Sequence, residues 1–220
     1  MEAERKRQEA LEDDDKEEEE EVVDNNKKKS AAYIKWEKEF DGKTEVDLDG
    51  KNLTDEDALA IGELLKTNNT LTELYLFSNN ITDVQSIGEG LKSNNTLMKL
   101  SLQNNNITDV QSIGDGLKTN NTLEVLYLSN NNITNVQSIG EGLKTNNTLK
   151  ELYLSNNNIT DDSGIQSIID GLKTNNTLYT LFLRNNQLSY NMILQLEAIQ
   201  QYKRNGSNGY QLKWITIIAR

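Results

Sequence analysis

The chain has 220 residues and a formal net charge of −12, and it contains no proline, cysteine or histidine. These absences exclude disulfides, thiolate nucleophiles, Cys/His zinc sites and imidazole general bases. The apolar runs are too short to cross a bilayer, and the charged N-terminus does not resemble a secretion signal. We therefore expect a cytosolic or nuclear protein that does not bind a membrane, and of the two compartments we assign it to the cytoplasm.

The negative charge is concentrated at the N-terminus. Residues 1–24 carry 13 acidic and 4 basic side chains, a net of −9, which leaves −3 for the other 196 residues. Residues 1–29 contain almost no large apolar side chains, so they cannot offset the entropy cost of ordering, and we predict an acidic disordered tail. The tail either steers basic partners toward the protein or serves solubility alone. Because the chain has no basic stripe, we do not expect it to bind nucleic acid.

A repeated sequence pattern fills the body of the chain. The tetrad Asn-Asn-Thr-Leu begins at positions 68, 94, 120, 146 and 175, in steps of 26, 26, 26 and 29 residues. Each tetrad opens a copy of Leu-x-x-Leu-x-Leu-x-x-Asn-x-Ile/Leu, and a degraded sixth copy begins at Lys43. The first full copy reads Leu71, Leu74, Leu76, Asn79 and Ile81. Periodic copies of this kind predict a stacked repeat architecture with a shared apolar core.

The pattern is that of leucine-rich repeats. The second half of each unit has helical spacing, since Val84, Ile87 and Leu91 fall on one helix face, with Thr82 or Asp83 as the expected N-cap. A strand and a true helix in 26–29 residues resemble the ribonuclease-inhibitor-like class, which includes NOD-like receptor tails, tropomodulins and Ran GTPase activators. The resemblance implies an α/β fold, a leucine-rich-repeat solenoid or horseshoe with parallel β-strands on the concave face and helices on the convex face.

Six repeats over residues 43–205 require caps, because the terminal units would otherwise expose the core. We predict an N-terminal capping helix over residues 30–42, where Tyr33, Trp36 and Phe40 share one helix face. The alternative interpretation is an exposed peptide that docks into a partner's groove.

The C-terminal end is predicted to close with a helix and then a strand. Residues 190–202 have a helical pattern, and the β-branched and aromatic content of residues 206–220 predicts a capping strand after a glycine-rich turn. Leu212, Trp214 and Ile215 are expected to help cover the core at that end.

One asparagine of each full repeat falls where the chain leaves the strand. A buried amide at this position is predicted to bond to backbone groups of the adjoining turn, which no sheet hydrogen bond reaches. These residues are Asn79, Asn105, Asn131, Asn157 and Asn186.

Side chains that alternate with the buried leucines are expected to point into the concave face, and many of them are aromatic. Exposed aromatics provide a large contact area at a small entropy cost, so we predict a partner-binding surface. The alternative is that strand aromatics only fit a pleated surface and were copied with the repeat. The predicted partner-binding residues are Tyr75, Phe77, Tyr127, Tyr153, Tyr179, Phe182 and Arg184.

These observations predict a monomeric, non-catalytic protein–protein interaction module with no cofactor and no metal. The segment that begins at Asp47 is not an EF-hand loop, because Asn52 and Ala58 stand at the sixth and twelfth places, where such a loop needs glycine and glutamate. Resemblance to Ran GTPase activators makes GTPase activation the alternative function, but the arginine that such proteins carry near an early repeat is missing here: the arginines are at 5, 7, 184, 204 and 220. A third interpretation, regulation of actin or of immune-type signalling, has no feature of its own in the sequence.

Overall fold

A computed structural model of the protein describes residues 29–160, 163–205 and 216–219. Within these ranges, seven three-residue strands alternate with seven helices. Residues 1–28 of the predicted disordered tail (1–29), and residues 206–215 and 220 of the predicted capping strand, lie outside the described residues.

The strands are β1 (Glu45–Asp47), β2 (Glu73–Tyr75), β3 (Lys99–Ser101), β4 (Val125–Tyr127), β5 (Glu151–Tyr153), β6 (Thr180–Phe182) and β7 (Thr216–Ile218). The helices are α1 (Ala31–Phe40), α2 (Asp55–Leu65), α3 (Gln85–Ser93), α4 (Gln111–Leu117), α5 (Gln137–Thr145), α6 (Ser163–Thr174) and α7 (Tyr190–Asn205).

All seven strands form one parallel sheet in sequence order. Adjacent strands pair in the register of the repeat, so that Leu74 lies beside Leu100, and Leu100 beside Leu126. A parallel neighbour requires a crossover, and the helix in each unit supplies it. The predicted fold class, an α/β solenoid with parallel strands on its concave face and helices on its convex face, is thereby confirmed.

The core is one continuous cluster that runs the length of the array. In the unit that starts at Leu71, the four strand-side positions and the three helix-side positions are all at most 2% exposed. Burial of one aliphatic side chain contributes about 1.5–3 kcal/mol, so each unit gains roughly 10 kcal/mol before the entropy of chain ordering is subtracted. The seven positions are Leu71, Leu74, Leu76, Ile81, Val84, Ile87 and Leu91.

The asparagines at the strand exits form a hydrogen-bonded ladder, as predicted. Asn131 donates from Nδ2 to the carbonyl oxygens of Leu102 (3.0 Å) and Leu128 (3.1 Å), and its Oδ1 accepts from the backbone N–H of Ile107 (3.0 Å). Each amide thus joins the turn of its own unit to the preceding unit. Four of the five amides are buried, whereas Asn186 in the last unit is half-buried.

A second ladder lies at the helix exits and was not predicted. Asn120 donates from Nδ2 to the carbonyls of Leu91 (2.8 Å) and Asn94 (2.9 Å), and its Oδ1 accepts from the N–H of Leu123 (2.8 Å). The same contacts recur at Asn146. The invariant first asparagine of the Asn-Asn-Thr-Leu tetrad is therefore a structural residue that fixes the loop leading into each of the strands β2 to β6.

The predicted helix N-cap was wrong by one or two residues. Helix α3 begins at Gln85, and Val84, which has no side-chain acceptor, occupies the N-cap position. Asp83 lies one residue earlier, and its Oδ1 accepts from the N–H of Gln85 at 2.7 Å. Val84 takes the cap position because its side chain is needed in the core, where it is 2% exposed.

Helix α1 packs against α2 at the N-terminal end of the array. Trp36 and Phe40 are buried, and Tyr33 is half-buried. The indole N–H of Trp36 donates to Asp57 Oδ1 at 2.9 Å, and Asp57 Oδ2 accepts from the backbone N–H of Thr54, which precedes α2. The assignment of residues 30–42 as a cap remains a prediction, and the Trp36–Asp57 contact provides a way to test it.

Substitution of Trp36 by phenylalanine is expected to lower the free energy of unfolding by about 1 kcal/mol, because the ring stays in the core but the hydrogen bond to Asp57 is lost. Urea denaturation followed by circular dichroism measures the change. Tyr33→Phe is the matched control, since it removes a hydroxyl for which the described residues provide no hydrogen bond. Equal effects of the two substitutions would contradict a stabilising contact between α1 and α2.

At the C-terminal end, α7 covers residues 190–205 and is three residues longer than the predicted helix. Strand β7 pairs in parallel with β6, with Ile217 beside Leu181. Leu212, Trp214 and Ile215, which were expected to cover the core, lie outside the described residues.

Candidate functional site

The inner face of the sheet consists of rows that run across the strands. Because alternate residues of a strand point to opposite sides, the residue between the buried positions faces inward in every unit. Strand register places Tyr75 beside Ser101, Ser101 beside Tyr127, and Tyr153 between Tyr127 and Phe182. The predicted aromatic row therefore exists, but the buried Ser101 divides it into two parts.

Tyr127, Tyr153 and Phe182 form a continuous stack, which we call the aromatic stack. The ring centroids of Tyr127 and Tyr153 are 4.6 Å apart with an interplanar angle of 22°, and those of Tyr153 and Phe182 are 5.0 Å apart at 14°. These separations match the spacing of neighbouring strands, about 4.8 Å, so strand pairing itself places the rings in contact. The rings were expected to be exposed; they are half-buried, because each one covers its neighbour.

The polar groups beside the aromatic stack bond to one another. Glu151 accepts hydrogen bonds from the hydroxyls of Tyr153 and, at 3.0 Å, Tyr179. Burial, followed by the bond to Glu151, raises the pKa of Tyr153, while the bond to Glu151 is the main cause of the raised pKa of Tyr179. Lys150 pairs with Glu124 at 2.6 Å. Both tyrosines thus stay neutral hydrogen-bond donors at physiological pH, with hydroxyls held by a carboxylate.

Tyr75 belongs to a separate cluster on β2 and β3. Its hydroxyl donates to Glu73, and the Lys99 ammonium lies 2.8 Å from Glu73 Oε2 and 3.2 Å from the Tyr75 oxygen. Hydrogen bonds from Lys99 and Tyr75 lower the pKa of Glu73, and the bond to Glu73 raises the pKa of Tyr75. Glu73, Tyr75 and Lys99 therefore bond to one another, so the Tyr75 ring lies on the inner face while the two opposite charges beside it compensate each other.

Phe77 and Arg184 lie in the neighbouring row. Phe77 is half-buried, and its backbone N–H donates to Asp49 Oδ1 at 2.6 Å. Arg184 is exposed at the β6 end, and no ion pair to its guanidinium exists among the described residues. The seven predicted binding residues therefore share one face, where they divide into the aromatic stack with Tyr179 and Arg184 near β6, and a second group, Tyr75 and Phe77, on β2.

The seven predicted binding residues leave out the acidic side chains at the β1 end of this face. Asp47 lies in the row of Tyr75, Glu45 lies beside Glu73, and Asp49 lies in the row of Phe77. Burial, and to a smaller extent the charge of Asp47, raises the pKa of Asp49, against the opposing bond from the Phe77 N–H. The sequence contained the signal, because Asp47 and Asp49 follow Val46 and Leu48 in the degraded first copy as Tyr75 and Phe77 follow Leu74 and Leu76 in the next.

The described ranges contain no group of three or more acidic, histidine or cysteine side chains arranged to hold a metal ion. In the same ranges, no helix has both the length and the apolar composition of a membrane span.

Comparison with known proteins identifies the class. The family model "Leucine Rich repeats (2 copies)" matches residues 121–167, and the model "Leucine Rich repeat" matches residues 67–84 and 93–110. The chain is a leucine-rich-repeat protein, as the resemblance implied; its placement in the ribonuclease-inhibitor-like class stays a prediction. Comparison with curated proteins found no match.

Two solved structures illustrate the likeness. The leiomodin-1 actin-binding site 2 is 21% identical, with 78% of this chain and 91% of that chain covered and a TM-score of 0.46. An internalin (inlF) from Listeria monocytogenes str. 4b F2365 is 23% identical, with 64% of this chain and 42% of that chain covered and a TM-score of 0.41. Both likenesses concern the fold alone.

Proposed function

We propose that this chain is a non-catalytic interaction module that binds a protein partner through the concave face of its sheet. The observation that supports the proposal is the aromatic stack, which offers ring surface from three successive strands. Aromatic side chains are enriched among the residues that dominate interface energies. The asparagine ladders hold the strands in place, so little conformational entropy would be lost on docking.

The chemistry of the face favours binding over catalysis. The carboxylates beside the aromatic stack are engaged, Glu151 by two tyrosines and Glu124 by Lys150. Neither histidine nor cysteine is present in the sequence to serve as a general base or thiolate. GTPase activation, the alternative, requires a placed cation or a water-orienting group, and the sequence has no arginine between Arg7 and Arg184. We therefore favour a binding function without a cofactor.

The proposal includes a monomeric protein that acts in the cytoplasm. A net charge of −12 opposes association with nucleic acid and with anionic membranes. Sedimentation should give one species near the chain mass of 24.9 kDa.

Simultaneous replacement of Tyr127 and Tyr153 by alanine is expected to weaken partner binding by about 2 kcal/mol or more, roughly thirtyfold in Kd, because two adjacent rings of the stack are removed. The partner is first identified by affinity capture with mass spectrometry, and its affinity is then measured by calorimetry.

Tyr202→Ala is the control, since it deletes a 74% exposed tyrosine from α7, away from the concave face. Circular dichroism verifies that both variants are folded. Unchanged affinity of the double variant would remove the concave face from the proposal.

A further inference from the structure

The charges of the concave face are unevenly distributed along the array. Glu45 and Asp47 of strand β1, together with Asp49, which follows the buried Leu48, present three inward carboxylates. On β6, the last strand but one, Phe182 and the exposed Arg184 occupy the corresponding rows. Strands β1 and β6 are five strand intervals apart, about 24 Å. Among the described residues, the face is therefore acidic at β1, whereas at β5 and β6 it carries aromatic rings, the cation Arg184 and the tyrosine-bonded carboxylate of Glu151.

The acidic end carries uncompensated charge. Asp47 Oδ1 accepts from the N–H of Asp49 at 3.0 Å, and Asp49 Oδ1 accepts from the N–H of Phe77. Within residues 29–160, 163–205 and 216–219, no ion pair neutralises any of the three carboxylates.

The middle of the same face behaves differently. Glu73 is paired with Lys99 and Glu124 with Lys150. Glu151 adds one negative charge, since two tyrosine hydroxyls contact its carboxylate and no described lysine or arginine pairs with it. The residual negative charge on the face therefore comes mainly from Glu45, Asp47 and Asp49. The sequence adds charge of the same sign, because residues 1–30, with a net of −6 after the three lysines at 27–29 are counted, precede the helix at this end.

We propose that the concave face binds an extended segment of a partner protein that places lysine or arginine side chains over β1 and apolar or aromatic side chains over the aromatic stack. This inference rests on the proposed function and adds the partner's chemistry and direction. An extended chain rises about 3.3 Å per residue, so roughly seven residues span the 24 Å from β1 to β6. Near β6, Arg184 attracts an acidic side chain or a carboxyl terminus of the segment, and this contact determines which end of the segment lies over β6.

The test is a selection of random twelve-residue peptides displayed on phage against the full-length chain, followed by affinity measurements on the selected peptides. The acidic-face variant is Asp47→Asn with Asp49→Asn, which keeps an amide oxygen available to the N–H groups of Asp49 and Phe77. The matched control is Asp83→Asn with Asp109→Asn. It also removes two negative charges, but on the convex side. Asparagine suits these positions, because the equivalent residue of the next repeat is Asn135, whose side chain accepts from the N–H of Gln137 as the two aspartates accept from the N–H groups of Gln85 and Gln111.

We expect the wild-type chain to enrich peptides that have lysine or arginine at one end and apolar residues at the other. Such a peptide should bind the acidic-face variant about fivefold more weakly and the control within about twofold of wild type, since two exposed charge interactions are lost only in the former. Arg184→Gln should remove the enrichment of acidic residues at the peptide's apolar end.

Three outcomes would overturn the inference: no enriched peptides, no basic bias among them, or an equal loss of affinity in the control. If the selected peptides lack the basic bias but their binding still depends on Tyr127 and Tyr153, the inference is wrong and the proposed concave-face function stands. Binding that is indifferent to both tyrosines defeats the proposed function as well.

Discussion

Replacement of Gly114 by alanine is expected to lower the free energy of unfolding by about 3 kcal/mol, although alanine is the better helix former by about 1 kcal/mol. A Cβ at Gly114 would lie 2.3 Å from the carbonyl carbon of Ser138 and 2.5 Å from its Oγ. Ser138 cannot yield easily, because its Oγ donates to the Val110 carbonyl at 3.2 Å. Relief of the clash requires α4 and α5 to move apart and weakens the core beneath them.

Urea denaturation of Gly114→Ala, Gly116→Ala and Lys144→Ala tests this expectation. A Cβ at Gly116 would lie 2.8 Å from the Gly88 carbonyl oxygen, a milder overlap, so Gly116→Ala should fall between the other two. Lys144 is exposed in the last turn of α5 and serves as the control. If Gly114→Ala were as stable as Lys144→Ala, close helix packing would not be what holds adjacent units together.

The glycines of each unit also explain how the array ends. In the helices α3, α4 and α5, the first glycine of the Gly-x-Gly pair meets the following helix, and the second meets the preceding one. Helix α2 keeps the first glycine but has Leu64 in the second place, where its neighbour is α1. Helix α6 keeps the second glycine but has Ile169 in the first place, where its neighbour is α7. Both larger side chains are buried, so at the ends of the array a large apolar residue replaces glycine where α2 faces α1 and where α6 faces α7.

The repeat spacing was sufficient to predict the fold from sequence. Leucines that recur every 26–29 residues can be buried together only if the units stack, and this determines strand order and helix placement. The N-cap was mispredicted because polar residues at helix starts usually cap, whereas Val84 is required by the core. The second asparagine ladder was missed because its partners are carbonyls of the preceding unit, as in the bond of Asn120 to Leu91.

The concave face was predicted residue by residue, but its internal contacts were not. The rows follow from strand alternation, so the positions of Tyr127, Tyr153 and Phe182 could be deduced. The exclusion of Tyr75 could be deduced too, because Ser101 separates it from Tyr127 in the row. The contacts within the stack depend on side-chain rotamers, and the bonds of Tyr75 with Glu73 and Lys99 on side-chain placement, neither of which the repeat pattern contains. Side-chain contacts between neighbouring units depend on the tertiary structure, even in a protein whose sequence is periodic.

Replacement of Asn131 by alanine is the second substitution with a large expected effect, a loss of about 3 kcal/mol in unfolding free energy. It leaves the buried N–H of Ile107 without the acceptor that Asn131 Oδ1 supplies, at a cost of about 1–3 kcal/mol for the N–H alone. The carbonyls of Leu102 and Leu128 each keep one amide donor, from Asn105 and Asn157, and lose the other. Thermal and urea denaturation measure the loss.

Asn132→Ala is the matched control, because Asn132 is the next residue along the chain and is exposed. Its contact within the described part of the chain is made by its backbone N–H, which donates to Ile107 O at 2.9 Å. We expect this variant to stay within about 0.5 kcal/mol of wild type. Since Asn131 joins two units in the middle of the array, its loss should also broaden the unfolding transition, as the halves on either side become less strongly coupled. A sharp transition of unchanged midpoint would show that the units are held in register by their leucines alone, and that the buried amides add nothing to the rigidity on which a preformed concave face depends.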